Sequence, residues 1–204
     1  MWDCNCPEYI KNFSGVSCET VERLVEYCEL LQKWQRKINL VSRDVSDIWS
    51  RHVFDSLQLI PHIPANDSVC DIGSGGGFPG VILAVAGVTP LTMIESNGKK
   101  CTFLREATRR LPSDVRILNQ RIEDCPPLNV DIVTARALAS LEVLLGFANK
   151  LLKPNGKCLF LKGYNVDIEI EIASKSYDFK ATKIKSQSSE GGVILQVEDI
   201  HPKG

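Results

Sequence analysis

Between residues 17 and 38, apolar side chains recur every three or four positions, at Val21, Leu24, Val25, Cys28, Leu31 and Ile38. That spacing predicts an amphipathic helix. Ser17 can cap it and Glu19 sits in its first turn, where a carboxylate meets the positive end of the helix dipole. A second helical pattern runs from about Val45 to Ile60 through Ile48, Trp49, Val53 and Leu57, until Pro61 and Pro64 stop it. From residue 68 the period changes. Short apolar runs suited to strands (68–72, 91–95, 115–118, 130–135 and 157–162) alternate with helical patterns at 79–87, 98–111 and 140–152. Lys153-Pro154-Asn155-Gly156 reads as a turn before the fifth strand. Alternation of this kind implies a parallel sheet with helices on both faces. The last two strands, 177–184 and 192–200, are joined by polar residues with no helix between them, which predicts an antiparallel finish. The expected fold is α/β and Rossmann-like: a mostly parallel seven-stranded sheet, an antiparallel C-terminal end and an N-terminal helical extension. It forms one domain, with residues 1–64 as a helical platform and 65–204 as the core.

The first strand–helix junction carries the chemistry. Asp71 is followed at two-residue intervals by Gly73, Gly75 and Gly77, then by Phe78-Pro79-Gly80. Strand, glycine turn and helix together bring backbone close to a nucleotide-like cofactor. Pro79 suits the first helical position, where its missing N–H costs nothing. Gly75, Gly77 and Gly80 fit the dinucleotide pattern GxGxxG, while Asp71, Gly73, Gly75 and Gly77 fit DxGxGxG, the pattern of S-adenosylmethionine (SAM) sites. Charge separates the two. A pyrophosphate at this turn would meet the Asp71 carboxylate, and like charges ~4 Å apart cost roughly 4 kcal/mol at a protein surface. SAM offers an ammonium and a sulfonium, which the same carboxylate attracts. Glu95 closes the next strand 22 residues after Gly73, the position from which an acid commonly binds ribose hydroxyls. The alternative for Glu95 is a cap on the helix that follows, although Ser96, Asn97 and Gly98 already supply cap chemistry.

Composition narrows the class without naming a function. The 204 residues suffice for one well-cored domain, and 44% hydrophobic with 24% charged is ordinary globular composition. At net charge −1, any nucleic-acid contact must use a segregated basic face. No run approaches the ~20 apolar residues of a membrane helix, and Met-Trp-Asp-Cys-Asn-Cys does not resemble a secretory signal. A cytoplasmic location away from the membrane is expected. The eight cysteines form no CxxC and no nearby His pairing, so no metal is expected and reduced thiols are. Cys4 and Cys6 are the one pair close in sequence.

The predicted strands end at Asp71–Gly77, Glu95, Gln120–Asp124, Ala135-Arg136 and Lys162-Gly163, each a polar or glycine segment after an apolar run. Ligands of such sheets sit at those carboxyl ends. With these residues placed, the chain from about Leu30 to Gly163 resembles the bacterial guanine-N7 methyltransferases of small-subunit ribosomal RNA, the RsmG or GidB family. The motifs that carry the resemblance are Trp34 with Ile38-Asn39-Leu40, Arg51-His52 with Asp55-Ser56, and Asp71–Gly80. They continue with Glu95-Ser96, Lys99-Lys100 and Phe103-Leu104, then Arg121 with Ile122-Glu123, Ala135-Arg136-Ala137 and Leu161-Lys162-Gly163. The resemblance implies SAM contacts at Gly73, Phe78, Ile122, Glu123 and Arg136. It implies 16S rRNA as substrate, free or in a small ribosomal subunit or assembly intermediate, with guanine 527 as the target. A monomer is expected.

Guanine N7 has a free lone pair and no proton to lose, so its methylation asks for alignment, not for a base. The chain agrees by omission. The fourth strand ends Thr134-Ala135-Arg136-Ala137, where exocyclic-amine methylation would show an Asn/Asp-Pro-Pro-aromatic motif and pyrimidine-carbon methylation a thiol. Asp71 would face the methionyl ammonium and Glu95 the ribose, with Gly73, Gly75 and Gly77 as the turn. The Ile122-Glu123 backbone and the Glu123 side chain would read adenine. Arg136 would contact SAM, a phosphate or guanine O6, or else pair with Glu142 or Asp131. Asn39, Arg51 and His52 would line the substrate side, although a packed His52 with a satisfied ring fits equally. Lys162 is either a phosphate contact or a solvated strand end. RNA would be held by Arg51, Lys99, Lys100, Arg121 and Lys162, and a basic strip could continue through Arg109, Arg110 and Arg116. Two other functions stay open: a small-molecule SAM methyltransferase, and a non-catalytic RNA-binding assembly factor.

Overall fold

The computed structural model describes residues 5–14, 16–42 and 47–204. Cys4 and the predicted start of the second helix at Val45 lie outside the described residues. After a single turn, α1 (Glu8–Lys11), comes the amphipathic helix α2 (Cys18–Gln35), capped as expected: the Ser17 hydroxyl accepts from Thr20 N at 3.1 Å. The second helical pattern folds differently from its prediction. Residues Trp49–Phe54 wind as a π-helix that passes into α3 (Asp55–Leu57) and then a 3₁₀ turn, Ile60–His62. A π-turn widens the ladder and re-aims the side chains that follow, and such turns cluster at functional sites.

The sheet comprises β1 (Val69–Ile72), β2 (Leu91–Ile94), β3 (Val115–Leu118), β4 (Val130–Arg136), β5 (Leu152–Lys162), β6 (Tyr177–Lys185) and β7 (Val193–Pro202). The order is β3-β2-β1-β4-β5-β7-β6, with the first five strands parallel and β7 antiparallel to both β5 and β6. Helices α4 (Gly80–Val85), α5 (Gly98–Thr108), α6 (Leu141–Leu151) and α7 (Val166–Ala173) complete the chain. Pro79 lies one position outside α4, as its cap, and not at its first residue. Lys153–Gly156 does not separate α6 from the strand. β5 absorbs it as a bulge, so that Val130 pairs with Leu152 but Ile132 with Lys157.

Two apolar layers cover the sheet. On one face Leu24, Tyr27 and Leu31 of α2 share a core with Val81, Phe103, Val69 and Leu159. On the other, α6 and α7 pack on Cys70, Val133 and Phe160. Strand side chains alternate between faces, so Asp71 points with Val69 toward α4 and the N-terminal helices, not along the strand axis.

Candidate functional site

A cavity of about 860 Å³ opens along the carboxyl edge of the parallel strands. Its floor is the turn Gly73–Gly76 after β1. One wall is Glu95, Ser96, Lys100 and Gln120–Glu123, at the ends of β2 and β3. The other is formed by Leu40–Ser42, Arg51, His52 and Asp55 of the platform, with Ser188 and Ser189 of the β6–β7 loop. Arg136, the last residue of β4, and residues 137–139 after it close the far side.

The turn is built without side chains because there is no room for them. Gly77 has φ +91°, and a Cβ there would lie 2.5 Å from Val81 Cγ2. At Gly80 a Cβ would lie 2.6 Å from Asp71 Oδ2, the atom that accepts Gly80 N–H at 3.2 Å. From above, the Tyr27 hydroxyl donates to the Gly76 carbonyl and its ring meets Phe78 edge-on at 5.6 Å. Gln35 holds the adjoining strap: its Oε1 accepts from Leu40 N and Val41 N, and its Nε2 donates to Val41 O.

Asp71 lies beneath this turn and not in the cavity. It is fully buried, with Oδ2 on Gly80 N and Oδ1 accepting from the Thr134 hydroxyl at 3.1 Å. Burial pushes its carboxyl up to about 6, against the pull of the Ser74, Thr134 and Gly80 bonds. Glu95 does line the cavity. Its Oε2 accepts Gly75 N–H at 2.9 Å and its Oε1 accepts Asn97 N–H at 2.7 Å, so one carboxylate fastens the turn to β2. Gln120, beside it, is a side chain that sequence reasoning placed only within a strand end; its buried Nε2 has no hydrogen-bond partner. An unpaired buried donor facing a cavity costs free energy that a ligand acceptor would return.

At the far side, the Arg136 guanidinium lies 4.9 Å over the Phe78 ring, and its Nη1 donates to Arg51 O at 2.9 Å. Neither suggested ion pair forms. Asp131 is held down at about 2 by Lys153 and Ser68, and Glu142 accepts from Ser176. Burial lowers the Arg136 pKa, and Asp55 pulls it back. His52 stacks obliquely on Phe78 at 4.9 Å with both ring nitrogens buried and unbonded. The satisfied-ring reading therefore fails. Desolvation, then Arg136 and Arg51, bring His52 down to about 3, so it is neutral at pH 7.

Several expected site residues are not brought together. Asn39 is exposed outside the cavity, next to the strap that lines it. Gly77 and Lys99 also lie off its surface, whereas Lys100 and Arg121 line it. The basic strip divides, since α5 runs from the cavity edge back to the opposite edge. Lys99 and Lys100 open that helix, while Arg109 and Arg110 follow its far end and Arg116 lies at the start of β3. Lys162 is neither a solvated strand end nor a free phosphate contact. Its Nζ is 2.6 Å from Glu169 Oε2 and 3.1 Å from Ala139 O, with 8% of the side chain exposed. Glu169 also accepts Leu141 N–H, so the pair pins the segment after β4 to α7. Lys162→Met is expected to cost about 2–3 kcal/mol in urea unfolding, because it strands a partly buried carboxylate. Affinity for S-adenosylhomocysteine should change less than tenfold; unaltered stability with abolished RNA binding would contradict this placement.

Sequence reasoning missed Asp55, Ser188 and Ser189 as cavity residues. Ser188 Oγ donates to Asp55 Oδ1 at 2.7 Å, Ser50 Oγ donates to Ser188 O, and Gln187 N–H donates to Gln58 Oε1 at 2.6 Å. Only Asp55, next to Ser56 in a family motif, gave any signal; a serine-rich hairpin loop looks like any solvated loop. Among the described residues, no cluster of His, Cys, Asp or Glu could hold a metal, and no helix is long and apolar enough to cross a membrane.

The family model for GidB, rRNA small subunit methyltransferase G, matches residues 20–194. The ribosomal RNA small subunit methyltransferase G of Paramagnetospirillum magneticum is 46% identical over 196 residues, covering 95% of this chain and 96% of that protein. Its counterpart from Gluconobacter oxydans is 49% identical over 186 residues, 91% of this chain and 96% of the relative. Among solved structures, the ribosomal protein L11 methylase of Lactobacillus delbrueckii subsp. bulgaricus superposes with TM-score 0.59 at 18% identity, over 72% of this chain and 77% of that one. TYW2 of M. jannaschii, crystallised with AdoMet, gives 0.54 at 18% identity over 74% and 76%. At that identity the two structures speak to the fold alone.

Proposed function

The chain belongs to the GidB family of small-subunit rRNA methyltransferases, and from that membership we propose that it methylates N7 of a guanine in 16S rRNA, at position 527. It is a SAM-dependent rRNA methyltransferase. The observation that carries the N7 reading is the end of β4. Arg136–Ala139 present to the cavity one guanidinium and apolar or backbone groups, with no carboxylate, thiol or amide of their own. A nucleophile with a free lone pair needs no proton acceptor there.

The residues present fit the cofactor. The side-chain-free turn, the acid at the end of β2 and the unpaired Gln120 amide lie along one wall, and 860 Å³ falls within the usual range of ligand cavities. Bound SAM supplies a methyl group activated by a sulfonium. Gly73, Gly75 and Phe78 would hold the methionyl end, Glu95 the ribose, and Ile122-Glu123 the adenine. Asp71 and Gly77 serve by shaping the turn, and the Asp71 charge acts on the cofactor through that turn. Arg136 reaches both halves of the cavity. Arg51 and neutral His52 would line the base side, and Lys100 and Arg121 its phosphate rim, with Lys99 beside them. Asn39 acts only through the strap it precedes, and Lys162 by fixing the segment after β4. The platform, residues 1–64, forms one domain with the core at 65–204, and the protein acts as a cytoplasmic monomer on the small subunit or a precursor of it.

Methyl transfer from labelled SAM to 16S rRNA carrying 7-deazaguanosine, which has no N7, tests the reading. Unmodified RNA should yield 7-methylguanine and the deaza RNA none; label on the deaza RNA would refute it. A metabolite extract that takes label while RNA does not would favour the small-molecule alternative. Binding of RNA should weaken at least tenfold between about 50 and 200 mM salt if several phosphates are contacted. A flat salt response would remove the proposed phosphate rim.

A further inference from the structure

Among the described residues on the platform side of the cavity, where Arg51, His52, Phe78 and Arg136 lie, the one carboxylate is Asp55. That carboxylate is half-buried. Oδ1 accepts from Ser188 Oγ at 2.7 Å and, more distantly, from Ser186 Oγ at 3.4 Å. Arg51 and Arg136 both act on it electrostatically, yet neither comes within ion-pair distance, and among the described residues no hydrogen bond engages Oδ2. The fold has gone to some length to place it: a π-turn aims it inward, and a hairpin loop from the other end of the chain crosses over to orient one oxygen.

An acceptor pair on a cavity wall selects among bases by chemistry alone. Guanine is the one RNA base whose Watson–Crick edge offers two adjacent donors, N1–H and the 2-amino group. Adenine and cytosine present an unprotonated ring nitrogen there, and uracil offers one donor flanked by carbonyls. Enzymes that act on a base commonly read that edge in a pocket after taking the base out of its stack.

Resting on the guanine-N7 reading above, we propose that Asp55, oriented by Ser188, is the guanine-selecting residue, accepting the N1–H and 2-amino hydrogens of the extruded base. The same contact aids the chemistry. As the N7 lone pair forms its bond to the methyl carbon, the carbon–sulfur pair returns to sulfur and the positive charge passes to the purine. Its N1–H and amino hydrogens become stronger donors, so a fixed carboxylate there binds the transition state better than the ground state.

The test compares guanine with inosine at the target position; inosine keeps N7, O6 and N1–H and lacks only the 2-amino group. Wild-type kcat/KM should fall roughly ten- to a hundredfold on inosine RNA, the usual size of discrimination when a charged acceptor loses its donor. In Asp55→Asn, turnover on guanine RNA should fall at least as far, mainly in kcat, and the guanine-to-inosine ratio should approach one. S-adenosylhomocysteine affinity and thermal stability should stay near wild type. Equal wild-type rates on the two RNAs would overturn the proposal. So would an Asp55→Asn enzyme that keeps the wild-type ratio, since Asp55 would then only anchor the hairpin. If Asp55→Asn fails to fold, Ser188→Ala, which removes the 2.7 Å bond that orients the carboxylate, takes its place: its guanine-to-inosine ratio should fall toward one, and an unchanged ratio would overturn the proposal. Absence of 7-methylguanine from wild-type reactions would instead refute the N7 reading itself.

Discussion

Arg136→Ala is expected to lower kcat/KM on 16S rRNA by about 100- to 1,000-fold, or about 3–4 kcal/mol of transition-state stabilisation. The guanidinium covers the Phe78 ring at 4.9 Å, ties β4 to the platform through Arg51 O, and interacts electrostatically with both Asp55 and Asp71. Removing it uncovers Phe78, frees the π-turn and deprives an anionic ligand group of its partner. A small misalignment of two reactants costs on the order of a hundredfold by itself. Arg136→Lys should recover little, because an ammonium cannot stack on the ring while also reaching the Arg51 carbonyl. Steady-state rates on both substrates, with calorimetric binding of S-adenosylhomocysteine, provide the check. An alanine variant turning over at the wild-type rate would exclude Arg136 from the site.

The second large effect concerns the buried acid. Asp71 sits at about 6 in the folded chain against an ordinary 3.8, so the unfolded chain gives up that proton first as pH rises. Its contribution to stability is therefore greatest at low pH, declines between about pH 4 and 6 by up to about 3 kcal/mol, and is level above that. Asp71→Asn has no such proton to lose. Its amide can still accept Gly80 N–H and donate to the Thr134 hydroxyl, so the variant should match or exceed wild-type stability at pH 8. The difference between the two proteins should shrink as pH drops to 4. Asp71→Ala, by contrast, leaves both partners buried without an acceptor or donor and should lose about 2–5 kcal/mol. SAM affinity separates charge from scaffold: loss of the negative charge should weaken binding roughly tenfold in Asp71→Asn. Unchanged affinity would mean that the carboxylate serves only to hold the turn.

Legibility differed along the chain for identifiable reasons. The strand–turn–helix at Val69–Val85 is readable because its signals are local: an apolar run, glycines at fixed offsets and a proline before the helix. The five parallel strands and the antiparallel end follow from periodicity in the same way. Helix α7 gave no such signal. Val166–Ala173 alternates apolar residues with Asp167, Glu169 and Glu171, a period-two pattern that does not suggest a helix. Its conformation follows from packing Val166 and Ala173 against α6 and β5, and from the Lys162–Glu169 pair. The π-turn at Trp49–Phe54 was also invisible, because a helical pattern does not show where its hydrogen-bond ladder will widen.

Asp71 illustrates the boundary between the two kinds of information. Its charge and its place two residues before the first glycine point to a cationic cofactor, and that inference needs no structure. Strand alternation sends the side chain under α4, so the carboxylate meets Gly80 and Thr134 instead of opening on the cavity. By itself the sequence determined the α/β order, the cofactor turn, the acid at the end of β2 and the arginine at the end of β4. The turn is encoded within ten consecutive residues, and the others in the order and spacing of successive apolar runs, where period acts directly. Only the tertiary structure decided which charged groups face the cavity, that Lys162 is consumed by Glu169, and that a hairpin loop near residue 188 completes the wall beside Asp55. Those pairings join residues up to 133 positions apart, and they are selected by burial and hydrogen-bond satisfaction across the whole fold, which no local pattern records.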